Sequence, residues 1–99
     1  MEKPGNTKYK IILSKKAQKT SLSLDKNMQL RIRKALFNYI DYIEGKTNKR
    51  PDVKALHGNF RGYYRLRVGK YRVIFEQKVF ELVIHVLDIT QRGDVYKQG

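Results

Sequence analysis

Cysteine is absent from the 99 residues, and histidine occurs only twice. Disulfides and thiolate metal sites are therefore excluded, and a histidine-based zinc site would need carboxylate help, so neither a metal nor another cofactor is expected. No apolar run approaches the ~18 residues of a membrane-spanning helix, and the opening "MEKPGNTKYK" carries no apolar signal core. The expectation is a cytoplasmic protein with no membrane contact. Acidic side chains are also scarce: 9 Asp and Glu stand against 22 Lys and Arg, a formal net charge of +13. That excess selects an anionic polymer as partner, nucleic acid first. An anionic membrane surface would instead require a basic amphipathic helix with an unpartnered apolar stripe, and the apolar stripes here are needed for a core.

The length suits one small domain. Residues 1–7, polar and holding Pro4 and Gly5, read as a flexible leader, and a single domain is expected over 8–99. "KYKIIL" at 8–13 predicts a strand. Ser14 is then a good N-cap for a short helix through "KKAQKTSLSL". Asp25 caps the next helix, in which Met28, Ile32, Ala35, Leu36, Tyr39, Ile40 and Ile43 recur at spacings of three and four until Gly45 stops it. With almost no linker between them, the two helices predict an αα-hairpin. "GKTNKRPD" at 45–52 is a loop rich in breakers and cations. "VKALHGNF" reads as a connector anchored by Leu56, and strands are expected at 62–68, 71–76 and 80–89. The last of these, apolar at nearly every position, is expected to be central and covered on both sides. The order strand, helix, helix, strand, strand, strand implies an α+β fold: a small, twisted, mainly antiparallel sheet with the αα-hairpin packed on one face.

The stretch "YYRLRVGKYRVIF" at 63–75 carries the chemistry. Val68-Gly69-Lys70-Tyr71 predicts a two-residue hairpin turn of type II′, with Gly69 supplying the positive φ. Arg67 then faces Arg72, Leu66 faces Val73 and Arg65 faces Ile74. Strand alternation puts Tyr64, Leu66, Val68, Tyr71, Val73 and Phe75 on one face and Arg65, Arg67 and Arg72 on the other. Like charges opposite one another cost up to about 1 kcal/mol in a ladder. Such a cluster implies an anion. Fixed guanidinium groups match a phosphate bidentately and stabilise charge that develops on it.

"GNFRGYYRLRVGKYRVIFE", followed after a long apolar strand by "QRGDVY", resembles the RelE-type toxins of the RelE/ParE toxin-antitoxin superfamily over Tyr9 to Tyr96. The resemblance implies a RelE-like fold and a ribosome-dependent mRNA endonuclease, an enzyme that cuts A-site mRNA when the RNA's 2′-hydroxyl attacks the adjacent phosphate, without metal. It implies Arg65, Arg67, Arg72, Arg92 and Tyr96 as catalytic positions, and the ribosome, mRNA and a cognate antitoxin as partners. Some relatives carry lysines where Arg65 and Arg67 stand. Lys54 and Arg61 flank the arginine face as candidate RNA contacts.

Two other functions compete: a ParE-like DNA gyrase inhibitor without nuclease activity, and an inert RNA-binding module. The terminal pair in "QRGDVY" favours the nuclease pattern. The plainer alternatives for single residues are a solvated arginine face, a structural His85, a loop His57, Tyr39 in the core with Tyr42 at its margin, and a solvated helix face bearing Arg31, Arg33 and Lys34.

Overall fold

Two side-chain oxygens start the two helices. In the computed structural model, which describes residues 7–56 and 62–91, Ser14 Oγ accepts from the Ala17 amide at 3.0 Å and Asp25 Oδ1 accepts from the Met28 amide at 2.8 Å. Each cap is worth about 1 kcal/mol. They open helix α1 (Lys15–Ser23) and helix α2 (Lys26–Ile43). Past the end of α2, Gly45 takes the left-handed φ of +78° that glycine tolerates best.

Five strands complete the chain: β1 (Lys10–Leu13), β2 (Val53–Ala55), β3 (Tyr63–Val68), β4 (Tyr71–Lys78) and β5 (Val83–Gln91). They form one sheet in the order β1-β5-β4-β3-β2. All pairs are antiparallel except β1 with β5. The predicted α+β architecture is therefore present, with one further strand.

The core lies between the sheet and the helices. Ile32, Leu36, Tyr39 and Ile40 of α2 and Ala17 of α1 close over Leu66, Val73, Phe75, Ile84 and Val86, all buried. Phe37 is buried too, one position outside the stripe read from the sequence. Its ring carries the Arg33 guanidinium 5.3 Å from the centroid. Tyr39 ties helix to sheet, its hydroxyl donating to Gln77 Oε1 at 2.5 Å. Burial pushes the Tyr39 phenol well above the ordinary tyrosine range, assisted by Tyr64.

Several expectations need correction. Val53–Ala55 is a strand, because its backbone pairs with Tyr64 to Leu66; the buried anchor there is Val53, while Leu56 is half-buried. The final strand starts at Val83, since residues 79–82 form the turn that β4 and β5 require. Phe80 there is wholly exposed, and Leu82 has a φ of +56°. β5 is an inner strand, but β4 holds the middle, and β5 is not covered on both sides: Ile84, Val86 and Ile89 are buried while their neighbours are only partly so. Thr7, placed in the leader by composition, is buried and bonds Glu44 and the Tyr9 amide.

A bulge shapes β5. Ile74 faces Asp88 while Phe75 faces Val86, so Leu87 is the extra residue that opposes nothing on β4. Its carbonyl accepts from Ser14 Oγ at 2.8 Å, which fastens the start of α1 to the irregular point of the sheet.

Candidate functional site

The hairpin forms in the predicted register: Val68 faces Tyr71, Arg67 faces Arg72, Leu66 faces Val73 and Arg65 faces Ile74. Gly69 has a φ of +60° and Lys70 does not share the positive sign, as a type II′ turn demands. Val68 and Tyr71 are the hydrogen-bonded pair next to a two-residue turn. Arg67 and Arg72 consequently occupy the non-hydrogen-bonded position, where opposed Cα atoms approach to about 4.5 Å and side chains lie closest. The Arg67 amide points away from β4 and donates to the Asp52 carbonyl at 2.9 Å. The backbone thus holds the two arginines directly opposite one another.

β2 extends the cluster by one cation, because Lys54 lies opposite Arg65. Lys54, Arg65, Arg67 and Arg72 thus share the face away from the helices. That face is less open than alternation alone suggests. Ile74 lies on it, between Arg65 across the ladder and Arg72 two residues along, and is only 5% exposed. Long arginine stems cover such an apolar side chain while their heads stay polar. The Arg65 side chain itself is only 11% exposed.

The sequence reading missed the carboxylate in this cluster. Asp52 accepts from Arg65 Nη1 at 3.2 Å and lies 3.8 Å from Arg67 Nη1. One oxygen serves each guanidinium, the arrangement a phosphate would adopt. Asp52 is more than half exposed, so the pair is screened and contributes at most about 1 kcal/mol. The signal was present in "RPDV": a strand that begins at Val53 brings the preceding residue beside Arg65 and Arg67. A second unforeseen neighbour is Arg31 of α2, whose guanidinium passes over the turn so closely that a Cβ on Gly69 would lie 3.3 Å from it.

Of the other site positions, Arg61, Arg92 and Tyr96 lie outside the described residues, as does His57. His85 faces Glu76 on β4 and Ile12 on β1, apart from the arginines along the sheet. Tyr39 is core and Tyr42 half-buried. No described helix is long and apolar enough to cross a membrane.

The family model described as the ParE toxin of the type II toxin-antitoxin system, parDE, matches residues 11–96. The chain is a toxin of the RelE/ParE superfamily. Among solved structures, this toxin is similar to the archaeal RelE in the RelE–RelB complex from Pyrococcus horikoshii, at 30% identity over 88% of this chain and 98% of that one, with a TM-score of 0.65. The isolated E. coli RelE toxin matches at 18% identity over 91% and 93% of the two chains, TM-score 0.62. The YoeB dimer from Staphylococcus aureus matches at 21% over 87% and 99%, TM-score 0.65. The last two likenesses speak to the fold. A comparison with curated proteins found no match.

Proposed function

We propose that this toxin is a ribosome-dependent endoribonuclease that cuts mRNA in the ribosomal A site by attack of the RNA's own 2′-hydroxyl. The observation that supports the reading is the face-to-face Arg67 and Arg72 pair, with Arg65 and Lys54 beside it on one sheet face. In-line attack forms a bond from the 2′-oxygen to phosphorus and breaks the bond to the 5′-oxygen of the next nucleotide. A cyclic phosphate and a free 5′-hydroxyl result. Charge accumulates on the non-bridging oxygens, and guanidinium donors already held together stabilise it without reorganisation. The RNA phosphate takes the position that Asp52 partly occupies. An arginine side chain does not serve as a base at neutral pH, so these side chains orient and stabilise while the 2′-proton leaves to another acceptor. Arg92 and Tyr96 complete the constellation in this reading, with Tyr96 stacking on a base or orienting the nucleophile. Lys54 and Arg61 add phosphate contacts.

A cognate antitoxin is the second partner. RelE of Pyrococcus horikoshii was solved with RelB, and YoeB of Staphylococcus aureus with YefM. An antitoxin that supplies acidic side chains to the arginine face would neutralise it as Asp52 does in part.

Mapping of RNA ends on programmed ribosomes, beside the same mRNA without ribosomes, tests the proposal. Cleavage confined to the A site and to the ribosome-bound sample is expected. The ParE description of the matching family favours a second reading, inhibition of DNA gyrase. Intact mRNA together with gyrase trapped on plasmid DNA would establish that reading instead.

A further inference from the structure

Beside the arginine face lies a cleft of about 650 Å³ between α2, the 45–52 loop and the β3 edge. The ladder of β2 with β3 ends at Leu66, and beyond it the Arg67 amide is met by the Asp52 carbonyl of the loop, so the loop itself forms the wall of the cleft at Arg67. Lys34 from α2, Lys49 and Arg50 from the loop and Arg67 from β3 line the gap, against Asp41 and Asp52. Asp52 is already engaged by Arg65 and Arg67, so cations dominate the opening. Arg50 is held in place by its own donation to the Val53 carbonyl at 3.3 Å. Arg67 belongs to both regions: it faces Arg72 in the ladder and lines the cleft. Its side chain stays 37% exposed there, which leaves the guanidinium within reach of an incoming anion.

We propose that this cleft is a phosphate-binding channel for single-stranded RNA, continuous through Arg67 with the arginine face and taking backbone phosphates that flank the one held there. The inference rests on the endonuclease reading for the direction of the strand, but it is a statement about binding and is tested without cleavage. A polar channel of lysines and arginines tracks the backbone and reads no sequence. The strand therefore turns around the sheet edge toward α2.

The test is binding of a fluorescent single-stranded RNA dodecamer to the full chain as a function of salt. Each phosphate contact in single-stranded RNA contributes about 0.7 to the slope of log affinity against log salt. Replacing both exposed lysines, Lys34→Ala with Lys49→Ala, is expected to lower the slope by about 1.4, which corresponds to a roughly 25-fold weaker complex at 0.1 M salt. Lys34→Arg with Lys49→Arg, which keeps both charges, should restore the slope. Lys15→Ala with Lys19→Ala on α1 removes the same charge elsewhere and should change it far less. Equal losses in the two alanine pairs, an unchanged slope in the cleft pair, or no binding by the unmodified protein would each overturn the channel. If the slope falls as expected yet mRNA on programmed ribosomes stays intact, the channel stands and the endonuclease reading fails.

Discussion

The two faces of the β3–β4 hairpin are built from alternate residues of the same two strands, and they answer to different requirements. Toward the helices, Leu66, Val73 and Phe75 are at most 1% exposed, and the Tyr39 and Tyr64 rings lie 5.1 and 5.6 Å from the Phe75 ring. Each such contact adds to burial. Away from the helices, the same backbone opposes Arg67 to Arg72, and β2 brings Lys54 opposite Arg65, which works against stability. A rigid core face is what makes the repelling face tolerable: β4 cannot slip by one residue without turning Tyr71, Val73 and Phe75 out of the core.

The largest effect that separates the faces should come from Phe75→Ala. Loss of about 3–5 kcal/mol of unfolding free energy is expected, read from the denaturant midpoint. Arg72→Ala should do the reverse, lowering single-turnover cleavage on programmed ribosomes by about 10²–10³-fold while stability shifts by no more than about 1 kcal/mol, toward greater stability if relief of Arg67 dominates. A loss of several kcal/mol in that variant would make Arg72 a structural residue and erase the contrast.

Two smaller effects sharpen it. The Tyr39 phenol has its pKa raised in the folded state, so its contribution to stability is complete below the unfolded value of about 10 and is lost as pH rises beyond it. Unfolding free energy followed from pH 8 to 11 should fall at the alkaline end, and Tyr39→Phe should flatten that fall. Asp52→Asn should change stability by less than about 1 kcal/mol, because the carboxylate is exposed. RNA binding by that variant should tighten, since the competing anion is gone. Weaker binding would mean that Asp52 positions Arg65 and Arg67 rather than competing for them.

What the sequence disclosed of these faces followed from local rules. Ser14, Asp25, Gly45 and Gly69 each announce a cap or turn through one side chain or its absence, and the turn at Gly69 sets the pairing of eight residues around it. Val53–Ala55 was not legible because a three-residue edge strand has too few residues to show alternation, and its partner begins only at Tyr63. Asp52 went unseen for the same reason. The turn at residues 79–82 was hidden by apolar Phe80 and Leu82, which lengthen the apparent strand although both are exposed. Arg92 and Tyr96 were proposed from the family resemblance and Arg61 from its place beside the arginine strand, and all three fall outside the described residues.

The parallel pairing of β1 with β5 joins segments at opposite ends of the described chain, as the bond from Ser14 to Leu87 across 73 residues illustrates. During synthesis β1 and both helices emerge first, and β5, the partner of β1, emerges after the other described strands. At roughly 5–20 residues per second, the interval between Ser14 and Leu87 is about 4 to 15 s. Until then β1 has no strand partner and β4 has only one of its two neighbours. The arginine hairpin therefore gains its second flanking strand, and with it its final rigidity, only once β5 has paired along β4.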